Sequence, residues 1–164
     1  MISPSSRALD EVIRGYVAMG SGLDVDTDVL PGNPKGPTPQ GLYATVLFVD
    51  DATPGTPYRR WTDVEGALTA QTLRDTSARY SVQWMRTGAR DAARRFVAWL
   101  SSSAGHDEAI RQHLVVQRVS AIRRLDTLIA DDWEERVNVD LQIGYVEALC
   151  QRADAIASAG ITLH

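Results

Sequence analysis

Residues 133–145 carry a two-residue repeat of apolar and polar side chains that few folds can accommodate. The odd-numbered positions are apolar except for Glu135, and the even-numbered positions up to Gln142 are polar. Because successive side chains of a β-strand point to opposite faces, this alternation predicts a strand with one buried and one solvated face. At about 3.3 Å per residue the strand would span about 40 Å, more than a domain of this size needs. We therefore expect it either to bend, for example at Gly144, or to extend beyond its own subunit.

Length and composition predict one domain, residues 1–164, without a membrane segment. Of the 164 residues 44% are hydrophobic, which is enough for a single core. A net charge of -4 and a pI of about 5.3 argue against a general affinity for duplex nucleic acid or anionic membranes. The lone Cys150 cannot form an internal disulfide, and no apolar run reaches the roughly 18 residues of a membrane span. The N-terminus lacks a signal-peptide pattern, which predicts synthesis in a reducing cytoplasm.

The first 41 residues divide into a predicted helix and a predicted loop. Apolar residues at three- and four-residue spacing favour a helix over residues 5–19. Residues 20–41 are rich in Gly, Pro and Asp, which is typical of a loop. Loops above about 12–15 residues without regular structure are usually functional or disordered, so this segment is a candidate arm against a neighbouring subunit. A solvated connection is the ordinary alternative.

Residues 42–149 hold the patterns expected of a sheet with helices. The continuous apolar run 42–49 predicts a strand that is buried on both faces. Weak periodicity over 58–65 predicts a short edge strand, and alternation near the end of 73–86 predicts another strand. Residues 115–125 have an extended pattern that leads towards the alternating stretch.

Two helices are predicted between these strands, and a tail follows them. Thr87 is a suitable N-cap for a helix whose inward stripe is formed by Ala89, Ala92, Ala93, Phe96, Val97 and Leu100. A second helix is predicted over residues 107–114, with an inward face formed by Ala109, Ile110, His113 and Leu114. The apolar pattern fades after Tyr145, so residues 150–164 are predicted to form a tail.

Alternating carboxylates at residues 24–28 resemble part of a calcium-binding loop, because hard cations prefer several oxygen ligands on one turn. The pattern then fails, since the expected glycine position holds Val29 and the closing acidic position holds Lys35. We interpret the run as a solvated acidic loop, and the sequence predicts no metal site.

The sequence contains no recognisable catalytic constellation. His106, His113 and His164 do not lie at ligand spacing from Cys or acidic partners. The acidic pairs 131–132 and 134–135 could serve a hydrolase only if the fold brought them into a pocket. We therefore predict no catalytic residue and no cofactor.

Aromatic and charged side chains supply candidates for contact between subunits. Trp61 lies near a predicted edge strand, where an indole can anchor an interface. For Trp133, packing into the core is the ordinary alternative. The neighbouring arginines and carboxylates could form ion pairs between subunits, although solvated charge is the default for each of them alone. The candidate interface residues are Trp61, Arg123, Arg124, Asp131, Asp132, Trp133 and Arg136.

Three segments resemble the neck or tail terminator proteins of tailed bacteriophages. Residues 80–86, YSVQWMR, lead directly into the predicted helix from Gly88, and residues 123–126, RRLD, follow later. The most specific segment is 133–141, WEERVNVDL, which is similar to the tryptophan, the arginine and the alternating final strand of that family. The resemblance covers residues 43–145.

The resemblance implies an α/β domain of the α+β type, with a mostly antiparallel sheet backed by two or three helices. It implies a structural virion protein that forms a six-fold ring at the head–tail junction, caps the tail tube and stops its polymerisation. The expected partners are further copies of the chain, the tail tube protein and the head connector or stopper, while genomic DNA only passes through the lumen. Such a protein is made in the host bacterial cytoplasm and is not an enzyme.

Two other functions fit the sequence. A head-completion or connector-stopper protein would share the composition and the lack of chemistry, and only its partners distinguish it. A small hydrolytic enzyme would instead require Asp131, Asp132 or His113 to converge in a pocket.

Overall fold

The computed structural model describes residues 6–64, 67–129 and 132–152 of the chain. Its helices are α1 (Ser6–Ser21), α2 (Ala89–Leu100) and α3 (Ser103–Arg111). Its strands are β1 (Val29–Pro31), β2 (Tyr43–Ala52), β3 (Tyr58–Val64), β4 (Ala67–Met85), β5 (Val115–Val119), β6 (Arg123–Arg124), β7 (Thr127–Ile129), β8 (Asp132–Glu134) and β9 (Arg136–Arg152).

A seven-stranded sheet forms the centre of the molecule, with the strand order β1-β2-β4-β9-β5. In addition, β3 pairs with β4 and β6 pairs with β9. The β1–β2 pair is parallel, and the other strand pairs in the described residues are antiparallel. Strands β7 and β8 form a separate two-stranded ribbon. The predicted α+β fold, with a mostly antiparallel sheet and helices, is confirmed.

The helices cover one face of the sheet and bury its apolar side chains. This inner face is formed by alternate residues of β4 from Ala78 to Trp84 and of β9 from Val137 to Ile143. Trp84 is fully buried, and its indole N–H donates a hydrogen bond to the Ser21 hydroxyl at 2.9 Å. The buried hydrogen bond therefore ties the end of α1 to the centre of the sheet.

The β4–β9 pair is longer than the helical layer that covers it. Its register is continuous over the 17 residues of β9, a length of about 55 Å at about 3.3 Å per residue. The 16 residues of α1 span only about 24 Å. Beyond the helix-covered part, β3 and the far ends of β4 (67–76) and β9 (145–152) form a three-stranded extension, which we call the β-arm.

The predicted long strand is present, but its predicted ends are wrong. Strand β9 begins at Arg136, whereas Trp133 belongs to the separate strand β8. At the other end β9 continues to Arg152, so the tail predicted from residue 150 starts too early. Pairing with β4 supplies backbone hydrogen bonds there, and such pairing does not require an alternating side-chain pattern. Residues 153–164 lie outside the described part of the chain.

The β4–β9 register passes through Gly144 without a shift, so no β-bulge interrupts the strand pair there. The side-chain amide of Gln117 occupies the space that a Cβ would need, with its nitrogen 2.5 Å from the ideal Cβ position. A larger residue would displace Gln117, whose amide oxygen accepts a hydrogen bond from the Ser77 hydroxyl at 2.6 Å. The glycine therefore permits close packing between β5 and β9.

Strand β2 is buried in its first half and exposed in its second half. The prediction of a strand buried on both faces over residues 42–49 is therefore wrong from Leu47 onward. Strand β1 covers its outer edge only at residues 44–46, and a register shift between Phe48 and Asp50 interrupts its pairing with β4. The apolar side chains beyond this point consequently have few neighbours.

The predicted loop over residues 20–41 includes the end of α1 and the short strand β1. The Arg14 guanidinium donates hydrogen bonds to the carbonyl oxygen of Val25 at 2.9 Å and to that of Val29 at 2.9 and 2.7 Å. These bonds hold the first half of the segment against α1. Residues 32–42 form neither helix nor strand. Within the predicted loop, only these residues remain candidates for an arm against a neighbouring subunit.

The predicted stripe of α2 is confirmed, but its predicted cap is wrong. Its buried residues are Ala89, Ala92, Ala93 and Phe96, and Val97 and Leu100 are partly buried against them. The N-cap is Gly88 rather than Thr87, with a left-handed backbone conformation of φ 92°. A glycine adopts that conformation without the steric penalty that a Cβ brings.

Helix α3 begins earlier than predicted, because the Ser102 hydroxyl caps it by accepting a hydrogen bond from the Gly105 N–H at 3.2 Å. Ile110 and His113 were expected on its inward face, but both are exposed. His113 follows the helix in a left-handed conformation of φ 57°, so it does not continue the helical stripe.

Candidate assembly surfaces

The structure separates the candidate interface residues into two groups. The first group, where β6, the ribbon and the start of β9 meet, contains Arg123, Arg124, Asp132, Trp133 and Arg136. Trp61 lies on β3 and is in register, through β4, with Gln151 near the far end of β9. Arg136 and Gln151 are fifteen residue steps apart along β9, which corresponds to about 50 Å. Asp131 lies outside the described residues.

The β7–β8 ribbon presents the apolar side chains of its central residue pair to solvent. Leu128 and Trp133 are directly opposite each other in its register, so their side chains share one face of the ribbon. Their exposed fractions are 54% and 69%. Trp133 is therefore not a core residue, and we call the exposed pair of Leu128 and Trp133 the ribbon patch.

Ion pairs and a backbone hydrogen bond connect the base of the ribbon to the rest of the domain. The Glu134 side chain is only 10% exposed and lies 3.2 Å from the Arg86 guanidinium and 3.9 Å from that of Arg136. The Nε atoms of both arginines are buried without a hydrogen-bond partner within the described structure. Arg86 also has a positive φ of 80°, and its N–H donates to the Glu135 carbonyl at 3.0 Å. The ribbon thus leaves the domain from a charged base in which the carboxylate is nearly buried and the two arginines are partly exposed.

Glu135, the residue that interrupts the alternating pattern, caps α2 from a distant part of the chain. Its carboxylate accepts hydrogen bonds from the N–H groups of Gly88 at 3.0 Å and Arg90 at 3.1 Å. A carboxylate at this position also interacts favourably with the helix dipole. Sequence reasoning missed this role. The one available signal was the break in alternation, and that signal does not say which helix the side chain reaches.

The two arginines of β6 have partners in their own chain. Arg123 donates a hydrogen bond to the Asn138 side-chain oxygen at 2.6 Å and forms an ion pair with Asp140. Arg124 forms an ion pair with Asp126, and its hydrogen bond lowers the pKa of the Asp126 carboxyl. Any contact of these arginines with another subunit would use the N–H donors that these ion pairs leave exposed. Their demonstrated role is to hold β6 and the start of the ribbon against β9.

The β-arm carries a second exposed apolar surface, formed by Trp61 and Leu149. Trp61 is opposite Ala70 and Leu149 is opposite Thr72, so both side chains lie on the same face, one on each side of β4. Their exposed fractions are 55% and 60%. We call this pair the arm patch. Leu149 was missed because it follows the point where the alternating pattern fades.

Of the residues considered for a hydrolase, Asp132, Glu134 and Glu135 line one open cavity of about 290 Å³ at the base of the ribbon, and His113 is not among its lining residues. Glu134 and Glu135 are engaged at the ribbon base, and Asp132 lies on the ribbon itself. His113 precedes Val115, which is paired with Gly144, about 26 Å along β9 from Arg136. The acidic residues of this cavity are thus separated from His113, and two of them are engaged in ion pairing and helix capping.

The described part of the chain contains no group of three or more His, Cys, Asp or Glu residues placed to hold a metal ion. The acidic loop instead closes on itself, since the Asp24 carboxylate accepts hydrogen bonds from the N–H groups of Asp26 at 2.8 Å and Thr27 at 3.2 Å. Among the described helices none is long and apolar enough to cross a lipid bilayer.

Comparison with known proteins identifies the family of the chain. The profile of a family described as phage neck terminator protein matches residues 7–163. No curated protein matches the chain with significant similarity. Among solved structures, a chain of the virion of a native gene transfer agent particle shares 15% identity, covers 82% of this chain and 94% of its own length, and has a TM-score of 0.26. A likeness at that TM-score carries no weight. The profile match extends over nearly the whole sequence, and the chain therefore belongs to the phage neck terminator family, whose members are structural proteins of the virion.

Proposed function

We propose that this neck protein is a tail terminator whose copies assemble into a closed ring of six at the head–tail junction. The ring caps the tail tube, stops its polymerisation and presents the surface on which the head connector or stopper docks. Its synthesis takes place in the host bacterial cytoplasm before assembly. The family match supports the neck assignment, and the number six rests on the resemblance of the sequence to tail terminators.

The observation that carries the proposal is the presence of two exposed apolar surfaces at opposite ends of the antiparallel strand pair β4–β9. The ribbon patch precedes the start of β9, and the arm patch lies near its end. Single exposed apolar residues are ordinary on protein surfaces. Here each surface pairs an indole with a leucine, and tryptophan is enriched among the residues that dominate binding energy at interfaces.

Two different surfaces on one chain favour head-to-tail contacts between copies. A contact that joins unlike surfaces generates a ring when its rotation closes, and an open filament when it does not. A terminator has to stop polymerisation. A closed ring cannot grow by adding further copies, so it suits this role better than an open filament. The β-arm extends past the helical layer, and we propose that it contacts a neighbouring copy or the tube.

The candidate interface residues have different proposed roles. Trp61, Asp132 and Trp133 face solvent and are proposed to contact neighbouring proteins, and Asp131 stays a candidate beside them. Arg123, Arg124 and Arg136 are proposed to act indirectly, since their partners in the same chain hold the ribbon in place. The net charge of -4 suits a ring lumen through which genomic DNA passes without binding.

The proposal is tested by depleting the chain during phage production and imaging the particles by electron microscopy. A terminator should leave tails longer than those of the parent phage, because nothing stops tube growth. Tails of normal length on heads that have lost their DNA would instead indicate a head-completion or connector-stopper protein. Gold-labelled antibody against the chain should bind at the head–tail junction of parent particles, and depleted particles serve as the control for its specificity.

A further inference from the structure

We propose that, in the ring, the β-arms of adjacent copies join edge to edge, so that β3 of one copy pairs with the end of β9 of the next. This inference rests on the proposed ring and specifies a backbone contact within it. The occupant of each open edge is a second copy of this chain.

The β-arm has an open sheet edge on each side. Strand β4 lies in the middle of the arm and pairs with β3 on one side and with β9 on the other. Within the described residues, the pairing of β5 with β9 ends at Gly144, and no strand pairs with the far side of β3. Strand β3 and residues 145–152 of β9 therefore each present one side of their backbone to a further strand.

The two open edges are similar in length and regular in geometry. Strand β3 has 7 residues, which span about 23 Å, and residues 145–152 span about 26 Å. Exposed edges are usually protected by proline, lysine or a β-bulge. Neither edge contains proline or lysine, and both strands keep a continuous register with β4. The edges therefore retain the geometry that pairing requires.

Two charged side chains of these strands are turned towards β4 rather than towards the open edges. The Arg60 guanidinium donates a hydrogen bond to the Gln71 side-chain oxygen at 2.8 Å. The Glu147 carboxylate accepts a hydrogen bond from the Arg74 guanidinium at 3.1 Å. Because Gln71 and Arg74 both belong to the middle strand, these contacts leave the outward backbone groups of β3 and β9 accessible.

A cavity lies at the point where the open edge of β9 begins. It has a volume of about 540 Å³, and Tyr145 and Val146 of β9 line it together with His113 and Val115 at the start of β5. The described fold thus leaves space beside β9 immediately beyond the end of its pairing with β5.

Strand direction allows the two edges to pair around a ring. Strands β3 and β9 are both antiparallel to β4, so they are parallel to each other. A rotation about the ring axis preserves the direction of a strand along that axis, so β3 of one copy and β9 of the next pair as parallel strands. The edges lie on opposite sides of the arm, which makes the contact head-to-tail and allows it to close.

Joining the arms has two structural consequences. Three strands from each of six copies form a barrel of about 18 strands, a size at which β-barrels enclose an aqueous channel, as the proposed lumen requires. Trp61 and Leu149 share one face of the arm, so the arm patches of successive copies line up on one face of the joined sheet. That apolar band remains available to a neighbouring structural protein.

The contact can be tested by disulfide trapping in assembled rings. Cys150→Ser first removes the native cysteine, and Leu149→Cys is then combined in one chain with Arg59→Cys or Trp61→Cys. Within a chain these cysteines flank β4 and lie at least about 9.5 Å apart, which is too far for a disulfide. Joined edges bring such positions to about 4.8 Å between copies, so oxidation should give covalent ladders of up to six chains.

The matched control combines Leu149→Cys with Arg60→Cys. Arg60 is the neighbour of both test positions on β3, but its side chain lies on the opposite face of the sheet. The better of the two test pairs should give at least about tenfold more ladder than this control. Equal yields would overturn the inference, and a product that stops at dimers would contradict the head-to-tail contact.

Hydrogen exchange of the parent chain provides a measurement that needs no substitution. Outward amides of residues 145–149 should exchange at least about tenfold more slowly in rings than in the single chain. Residues 47–52 of β2 are the control, because β1 leaves their outer edge uncovered as well and the proposed contact does not reach them. Rings without added protection at 145–149 would overturn the inference and leave the terminator function intact, whereas absence of the chain from particles would refute both.

Discussion

The two ends of the β4–β9 strand pair expose tryptophan in different ways. At the ribbon end, Trp133 projects from a two-stranded ribbon with a partly buried charged base, where Glu134 lies between two arginines. At the arm end, Trp61 lies on the face of a three-stranded sheet, opposite Ala70, and the exposed ion pair of Arg74 and Glu147 lies further along the same strands. The ribbon is a narrow projection suited to a concave partner. The β-arm is a broad surface suited to a flat one.

The largest expected effect is that of Trp133→Ala on ring assembly. Loss of a buried tryptophan anchor typically costs about 2–4 kcal/mol of binding free energy, so assembly should weaken about 30-fold or more. The free energy of unfolding should stay the same, because Trp133 is mostly exposed in the single chain. Sedimentation or light scattering of the purified chain, together with incorporation into particles, measures the effect. Met19→Ala, at another exposed apolar residue on α1, is the control.

Among the proposed substitutions, Glu134→Gln should give the largest loss of folding stability. It leaves the Arg86 and Arg136 guanidinium groups without their carboxylate in a partly desolvated site, which should cost about 2 kcal/mol of the free energy of unfolding. Chemical denaturation of the isolated chain measures this cost. Glu147→Gln, which breaks the solvated ion pair of the β-arm, should give no measurable change. Equal changes in the free energy of unfolding for the two substitutions would refute the proposed difference between the ribbon base and the β-arm.

Trp61→Ala should act on attachment rather than on ring closure. If the ribbon closes the ring, the arm patch remains available for a neighbouring structural protein, and its loss should weaken that contact about tenfold. We expect rings of normal size from the purified variant but fewer capped tubes in electron micrographs. Loss of the rings themselves would assign the arm patch to the contact between copies.

Glu135→Ala should remove the cap of α2. Loss of a capping acceptor typically costs about 1 kcal/mol, and here two N–H groups lose their partner. Amide hydrogen exchange in the first turn of α2 should become faster, together with a lower midpoint of unfolding. Ser102→Ala removes the local cap of α3 and should leave exchange in α2 unchanged.

The smallest effect concerns pH and Asp126. Its pKa is lowered in the folded chain, chiefly by the hydrogen bond from Arg124, so its contribution to stability is present above the ordinary carboxyl pKa of about 3.9. That contribution is lost as the pH falls through the lowered folded value. The difference in unfolding midpoint between the parent chain and Asp126→Asn should therefore shrink as the pH is lowered from 6 to 3. A difference that grows on acidification would contradict this sign.

Much of the fold could be predicted from local patterns. The inner face of β9 from Val137 to Ile143 follows from its alternation, and the buried stripe of α2 follows from its three- and four-residue spacing. Both patterns report which side of one element is buried, and that information is contained within a few neighbouring residues. The seven candidate interface residues were harder to predict, because exposure of Trp133 depends on where the sheet and the helical layer end.

The sequence by itself determined the alternating strand, the inward stripe of α2 and, through its resemblance, the family. Only the tertiary structure decided that Glu135 caps a helix 45 residues earlier in the chain, that β9 continues to Arg152, and that Leu149 joins Trp61 in one patch. The physical reason is the same for each. A periodic pattern reflects the environment of one element, whereas caps, strand ends and shared surfaces depend on partners distant in sequence that the completed fold brings into contact.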